Sequence, residues 1–121
     1  MNRSALGRLG ESLACLELAR RGYAILATRY RTRFGELDII ADDHGVLVFV
    51  EVKARRSTGR GTAADAITPA KRRRVAAMAL DYLAWTGRLE DPCRFDVVAI
   101  DYIGTDRMAI RVIDHAWVVD G

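Results

Sequence analysis

Two apolar runs flanking a polar turn decide how this chain folds. They read Gly35-Glu36-Leu37-Asp38-Ile39-Ile40-Ala41, then Asp42-Asp43-His44-Gly45, then Val46-Leu47-Val48-Phe49-Val50-Glu51-Val52-Lys53. Branched apolar residues on both sides of a turn-forming cluster predict a β-hairpin. Strand side chains alternate, so Val46, Val48, Val50 and Val52 line one face while Leu47, Phe49, Glu51 and Lys53 line the other. In the partner strand Glu36, Asp38 and Ile40 share a face, opposite Leu37 and Ile39. Turn length decides whether the acidic sets meet. A two-residue loop of His44 and Gly45 sets Asp38 across from Glu51 and Glu36 across from Lys53. A loop of Asp43 and His44 sets Glu51 opposite Glu36 and diagonal to Asp38. A bulge-free three-residue loop sends the carboxylates to opposite faces.

Directly opposed carboxylates destabilise a strand pair unless a cation neutralises them. Lys53 supplies part of that charge. Hard oxygen ligands with room for water suit Mg²⁺ or Mn²⁺, which can activate water and neutralise charge developing on a phosphodiester. Lys53 is then the group that positions the water or stabilises the phosphoryl oxygens. The competing reading is a solvent-facing hairpin carrying a salt bridge. It fits poorly with Glu51 and Lys53 interrupting an otherwise apolar strand.

Outward toward the N-terminus, Ser4 to about Arg21 reads as a helix, with Leu6, Leu9, Leu13 and Leu16 at spacings of three and four. A second stripe of Gly7, Glu11, Ala14, Cys15 and Leu18 is small enough to approach a sheet closely. That leaves the leucine stripe to be covered by something else, for which a second copy of the chain is a candidate. Glu11 on the close-packing stripe is a candidate to join the acidic cluster. Gly22 stops the helix. A strand follows from Tyr23 to Tyr30, and Arg29, Arg31 and Arg33 share one side if the segment stays extended.

Toward the C-terminus, Ser57 to Asp65 reads as a loop, with Gly59 and Gly61 and no apolar period. Thr68 is an N-cap with Pro69 at the first position of a second helix, whose Val75, Met78, Ala79, Tyr82 and Leu83 form an apolar face ending near Gly87. Lys71, Arg72, Arg73 and Arg74 crowd its first turn, where the helix dipole disfavours cations and an incoming phosphate is welcome. Lys71 falls on the side of Val75, Met78 and Tyr82 and so leans toward the sheet. Arg94 to Tyr102 and Met108 to Val118 are two further strands joined around Gly104. The order predicts an α/β fold with a mixed five-stranded sheet flanked by helices, the Arg94 strand lying parallel to the Val46 strand through a crossover.

Composition bounds the rest. The 121 residues, half of them apolar and 29% charged, suit a single domain spanning 1–121. No apolar run reaches the roughly 18 to 20 residues of a membrane helix, and Arg3, Arg8 and Glu11 interrupt the start, so a cytoplasmic protein with no membrane partner is expected. Cys15 and Cys93 have no metal-type or redox-type spacing and are expected to be buried thiols. Charge is uneven: residues 1 to 74 hold 15 Lys or Arg against 8 Asp or Glu, a balance of +7, while residues 75 to 121 hold 4 against 8, a balance of −4. The basic part points to a polyanion such as nucleic acid, with an ordinary solvated surface as the competing reading. Asp42 and Asp43 read as turn residues, and His44 and His115 lack ligand spacing.

The Gly35 to Ile40 run, the segment Val48-Phe49-Val50-Glu51-Val52-Lys53-Ala54-Arg55 and Arg94-Phe95-Asp96-Val97-Val98 resemble the YraN-type family of small uncharacterised bacterial proteins. The resemblance extends from Gly10 and Glu11 to the Arg94 strand. That family is similar to the PD-(D/E)XK nuclease superfamily, Holliday junction resolvases in particular, with a restriction-endonuclease-like core. The resemblance implies a metal-dependent endonuclease acting on DNA phosphodiesters, with branched or structured DNA as a substrate. It makes Asp38 and Glu51 metal ligands, Lys53 the catalytic lysine and Glu11 a further acidic contributor to an Mg²⁺ or Mn²⁺ site. Arg33, Arg55, Arg56, Lys71 and Arg72 are the candidate phosphate contacts. Leu37 stands where the superfamily pattern has proline, which leaves the ligands intact. A homodimer is also implied, and a nuclease-fold module that binds or assembles with little turnover is the alternative.

Overall fold

In a computed structural model, residues 3–56 and 67–117 are described, with side chains from residue 5 onward. The expected loop at Ser57 to Asp65 and the end of the last strand at Val118 lie outside the described residues. Along the chain run α1 (Arg3–Arg20), β1 (Ala24–Thr32), β2 (Gly35–Asp43), β3 (Val46–Arg56), α2 (Pro69–Trp85), β4 (Cys93–Ile103) and β5 (Arg107–Trp117). The strands form one sheet in sequence order, β3 and β4 parallel and every other neighbour antiparallel. This is the expected α/β fold with a mixed five-stranded sheet and two helices, the crossover running through α2.

The deciding hairpin takes the two-residue loop. Asp43 pairs with Val46, and His44 and Gly45 both have positive φ, 52° and 93°. Two consecutive left-handed residues match the right-handed twist of the flanking strands. Asp42 Oδ1 accepts from the Gly45 N–H at 3.0 Å and closes the turn. Backbone pairing then runs from Asp43–Val46 to Ile39–Val50 and stops. The expected Glu36–Lys53 pairing does not occur, because the strands part beyond Ile39 and Glu36 turns to Arg31 of β1 at 3.2 Å.

One apolar layer packs on each face of the sheet. Leu37, Ile40, Leu47, Phe49 and Phe95 meet Val75, Met78, Ala79 and Leu83 of α2. Ile39, Ala41, Val48, Val50, Val98 and Ile100 meet Ala14 and Leu18 of α1. Full burial of each such side chain contributes about 1.5 to 3 kcal/mol. Strict alternation holds along β3 but fails along β2, where Leu37 joins Ile40 rather than Ile39. The slip falls at Asp38, facing Arg29, which lies between the Thr28–Ile39 and Tyr30–Leu37 pairs and kinks β1 with φ 52°. That kink also separates the three arginines expected on one side. Arg29 reaches Glu11 of α1, whereas Arg33, in the turn after β1, lies 4.0 Å from Asp81 of α2.

Of the small stripe of α1, Ala14 and Leu18 are buried against the sheet, whereas Gly7 is exposed. Gly10 is buried, and a Cβ there would lie 2.9 Å from the Ala54 Cβ of β3, so the residue sets how closely α1 approaches the sheet. Leu9 and Leu16 are exposed, while Leu6 and Leu13 are half-buried. Gly22, at φ 95°, ends α1, and the Tyr23 N–H donates to the Leu18 carbonyl at 3.0 Å, the αL stop the sequence predicts. Thr68 caps α2, its hydroxyl accepting from the Lys71 N–H at 3.1 Å. The cysteines depart from expectation: Cys15 is half-buried, and Cys93, at the first position of β4, is exposed. No described helix is long and apolar enough to cross a membrane.

Candidate active site

Where β2 and β3 part, a cleft of about 420 Å³ opens between the sheet and the N-terminal halves of both helices. Asp38, Glu51, Lys53, Glu11 and Lys71 all line it, together with Thr68 and Arg74. The local cause is Asp38. Its Oδ2 accepts the Val52 N–H at 2.8 Å, so a side chain takes a main-chain donor of β3 just past the last backbone pair. That bond holds the Asp38 carboxyl against β3 beside Glu51.

The two carboxyls lie within hydrogen-bonding reach of each other, a contact that is favourable only with a proton or a cation between them. The Glu51 side chain is 7% exposed. Its Oε1 lies 3.2 Å from Lys71 Nζ, whereas Oε2 is buried and has no hydrogen-bond partner among the described residues. Burial, and then the neighbouring Asp38 charge, push the Glu51 carboxyl up to about 8, with Lys71 pulling the other way. Burial also raises Asp38, opposed by the Val52 N–H and Lys71. An orphaned buried oxygen beside a second carboxylate is a donor set that suits a hard divalent cation.

Glu11 lines the cleft, but its Oε2 accepts from Arg29 Nε at 2.6 Å. Among the described residues no group of three His, Cys, Asp or Glu is arranged to hold a metal ion. Sequence spacing gives no sign of the Arg29 partner, which reaches Glu11 only because β1 kinks beneath α1. Lys53 is half-buried on the same face of β3 as Glu51.

The candidate phosphate contacts divide. Arg55 pairs with Asp101 of β4 at 3.7 Å, while Arg56 is exposed at the end of β3. Arg72 is exposed, its guanidinium 5.9 Å from the Trp117 ring centre, and Arg33 is exposed over Phe34 at 4.9 Å. Lys71 leans to the sheet, as its helical spacing predicts, and meets Glu51. Arg74 lines the cleft as well, about one helical turn past Lys71, the i, i+3 spacing that could have disclosed it.

A mixed five-stranded sheet whose central hairpin opens over a buried and a half-buried carboxylate and two lysines defines an α/β protein with a paired-acid cleft. The chain belongs to the uncharacterised protein family UPF0102, which matches residues 10–100, and so is of the YraN type. It is 47% identical over 112 residues to the UPF0102 protein of Symbiobacterium thermophilum, covering 93% of this chain and 95% of that one. It is 49% identical over 100 residues to the UPF0102 protein of Anaeromyxobacter dehalogenans, covering 83% and 75%.

Proposed function

We propose that the protein is a metal-dependent nuclease that hydrolyses DNA phosphodiesters, branched or otherwise structured DNA among its substrates, on a restriction-endonuclease-like core. The observation that carries this reading is the orphaned, buried Glu51 Oε2 beside Asp38 in an open cleft that also holds Lys53. Asp38 and Glu51 hold Mg²⁺ or Mn²⁺. When bound, the ion supplies Lewis-acid neutralisation of phosphodiester charge and a more acidic water. Lys53, on the Glu51 face of β3, positions water or donates to a phosphoryl oxygen as negative charge grows there. Asp38, fixed by the Val52 N–H, keeps one carboxylate oriented without a backbone partner from β2. Glu11, tied to Arg29, contributes negative potential rather than a third ligand. Lys71, in the cleft, takes a phosphate, and Arg33, Arg55, Arg56 and Arg72 are the further phosphate contacts.

Purified protein incubated with branched, nicked, single-stranded and duplex DNA should cut at least one of them with Mg²⁺ or Mn²⁺ and none with chelator. Glu51→Ala and Lys53→Ala should each remove the products, and cleavage that survives both changes overturns the reading. One observation favours a module that binds DNA with little turnover: Lys71 Nζ already sits 3.2 Å from Glu51 Oε1. Salt-dependent binding without product under either metal distinguishes that case.

A further inference from the structure

We propose that Lys71 is a resident counter-cation of the Asp38–Glu51 pair, which opposes entry of a divalent cation until a phosphodiester draws its ammonium away. Metal and nucleic acid then bind with positive coupling. The inference rests on reading Asp38 and Glu51 as a cation site.

Lys71 Nζ neutralises one oxygen of Glu51, at 3.2 Å, and leaves the other orphaned in a side chain that is 7% exposed. The acidic pair is thus half-satisfied: among the described residues the one ammonium contact goes to Glu51, and Asp38 accepts the Val52 N–H. A divalent ion at Oε2 stands within a few ångström of that ammonium, inside a partly desolvated cleft where repulsion is weakly screened. Both cations cannot keep their places at full strength.

Lys71 is also poorly held from its own side. It lies in the first turn of α2, which contains no acidic residue, beside Arg72, Arg73 and Arg74 and at the positive end of the helix dipole. Its side chain remains about a third exposed, so its flexible four-carbon stem can turn to the mouth of the cleft, where Thr68 and Arg74 also stand. A phosphodiester at that mouth offers the ammonium a new partner and frees Glu51. Since coupling between two ligands is reciprocal, a metal ion that expels Lys71 must equally strengthen phosphate binding.

The test is calorimetric titration of Mn²⁺ into full-length wild type, Lys71→Met, Lys71→Gln and Lys71→Arg, with and without a short phosphorothioate duplex that resists cleavage. Circular dichroism confirms that each variant is folded. Without DNA, both neutral variants should bind Mn²⁺ at least about tenfold more tightly than wild type, and Lys71→Arg should stay close to wild type. The duplex should tighten Mn²⁺ binding to wild type by a similar factor and change the neutral variants little. Equal or weaker Mn²⁺ binding by both neutral variants overturns the role of Lys71 alone. No Mn²⁺ binding by any protein, with or without DNA, overturns it together with the cation-site reading.

Discussion

Two buried charged clusters sit in one sheet, and they are built to opposite ends. In β4, registered against Val50 of β3, Asp96 is fully buried and its neighbours serve it. Arg94 Nε donates to Oδ1 at 3.0 Å, the His115 N–H to Oδ1 at 3.1 Å and the Tyr23 hydroxyl to Oδ2 at 2.9 Å. Arg94 reaches on to Asp43 at 2.7 Å, which ties the hairpin turn to β4. Burial, and then the bond to Asp96, push the Tyr23 phenol up to about 12, so it remains a donor throughout the working range of pH. In the cleft, Lys71 contacts one oxygen of Glu51, and the other has no hydrogen-bond partner among the described residues. Burial alone therefore does not mark a functional charge. The closed cluster is satisfied within the protein and braces the fold; the open one is not.

The largest effect that sharpens this contrast is expected at Asp96. Asp96→Ala strips Arg94, the Tyr23 hydroxyl and the His115 N–H of one shared, fully buried acceptor and should lower unfolding free energy by about 3 to 5 kcal/mol in urea denaturation. A loss below about 1 kcal/mol would erase the distinction between the clusters. Glu51→Gln should act in the opposite sense. Because burial raises the folded-state pKa of Glu51 to about 8, its favourable contribution is complete below the ordinary carboxyl range and is lost as pH rises through about 8. The metal-free protein should accordingly melt higher at pH 5 than at pH 8.5. Glu51→Gln, which cannot ionise, should recover about 1 to 3 kcal/mol at the higher pH.

Next in size, Mg²⁺ at ten times its dissociation constant should stabilise wild type by about 1.4 kcal/mol at neutral pH and leave Glu51→Gln unmoved. A melting temperature indifferent to Mg²⁺ in both proteins would count against the open cluster as a cation site. The smallest effect belongs to the exposed Arg31–Glu36 pair, 3.2 Å apart. Arg31→Ala should change stability by less than about 0.5 kcal/mol, which sets the baseline for charges outside either cluster.

The hairpin and its consequences were readable in advance, because the Asp-Asp-His-Gly turn and the period-two pattern of β3 admit few registers. The register formed is the one that brings Asp38 toward Glu51, and helical spacing alone turns Lys71 inward. Arg29 shows where such reading ends. A non-glycine residue at positive φ leaves no trace in apolar periodicity, so the break in β1, the slip of Leu37 and the diversion of Glu11 all went unforeseen. The Arg94–Asp96 brace did carry a signal: Asp96 interrupts an apolar strand just as Glu51 does. Its partners Tyr23 and Asp43 come from distant segments and become neighbours only in the folded sheet.

The Val52 N–H, which donates to a carboxylate instead of a strand carbonyl, has one further use. Its proton resonance should shift with whatever Asp38 holds, so a single main-chain amide in a magnetic-resonance spectrum can report occupancy of the cleft directly, with no label and no turnover.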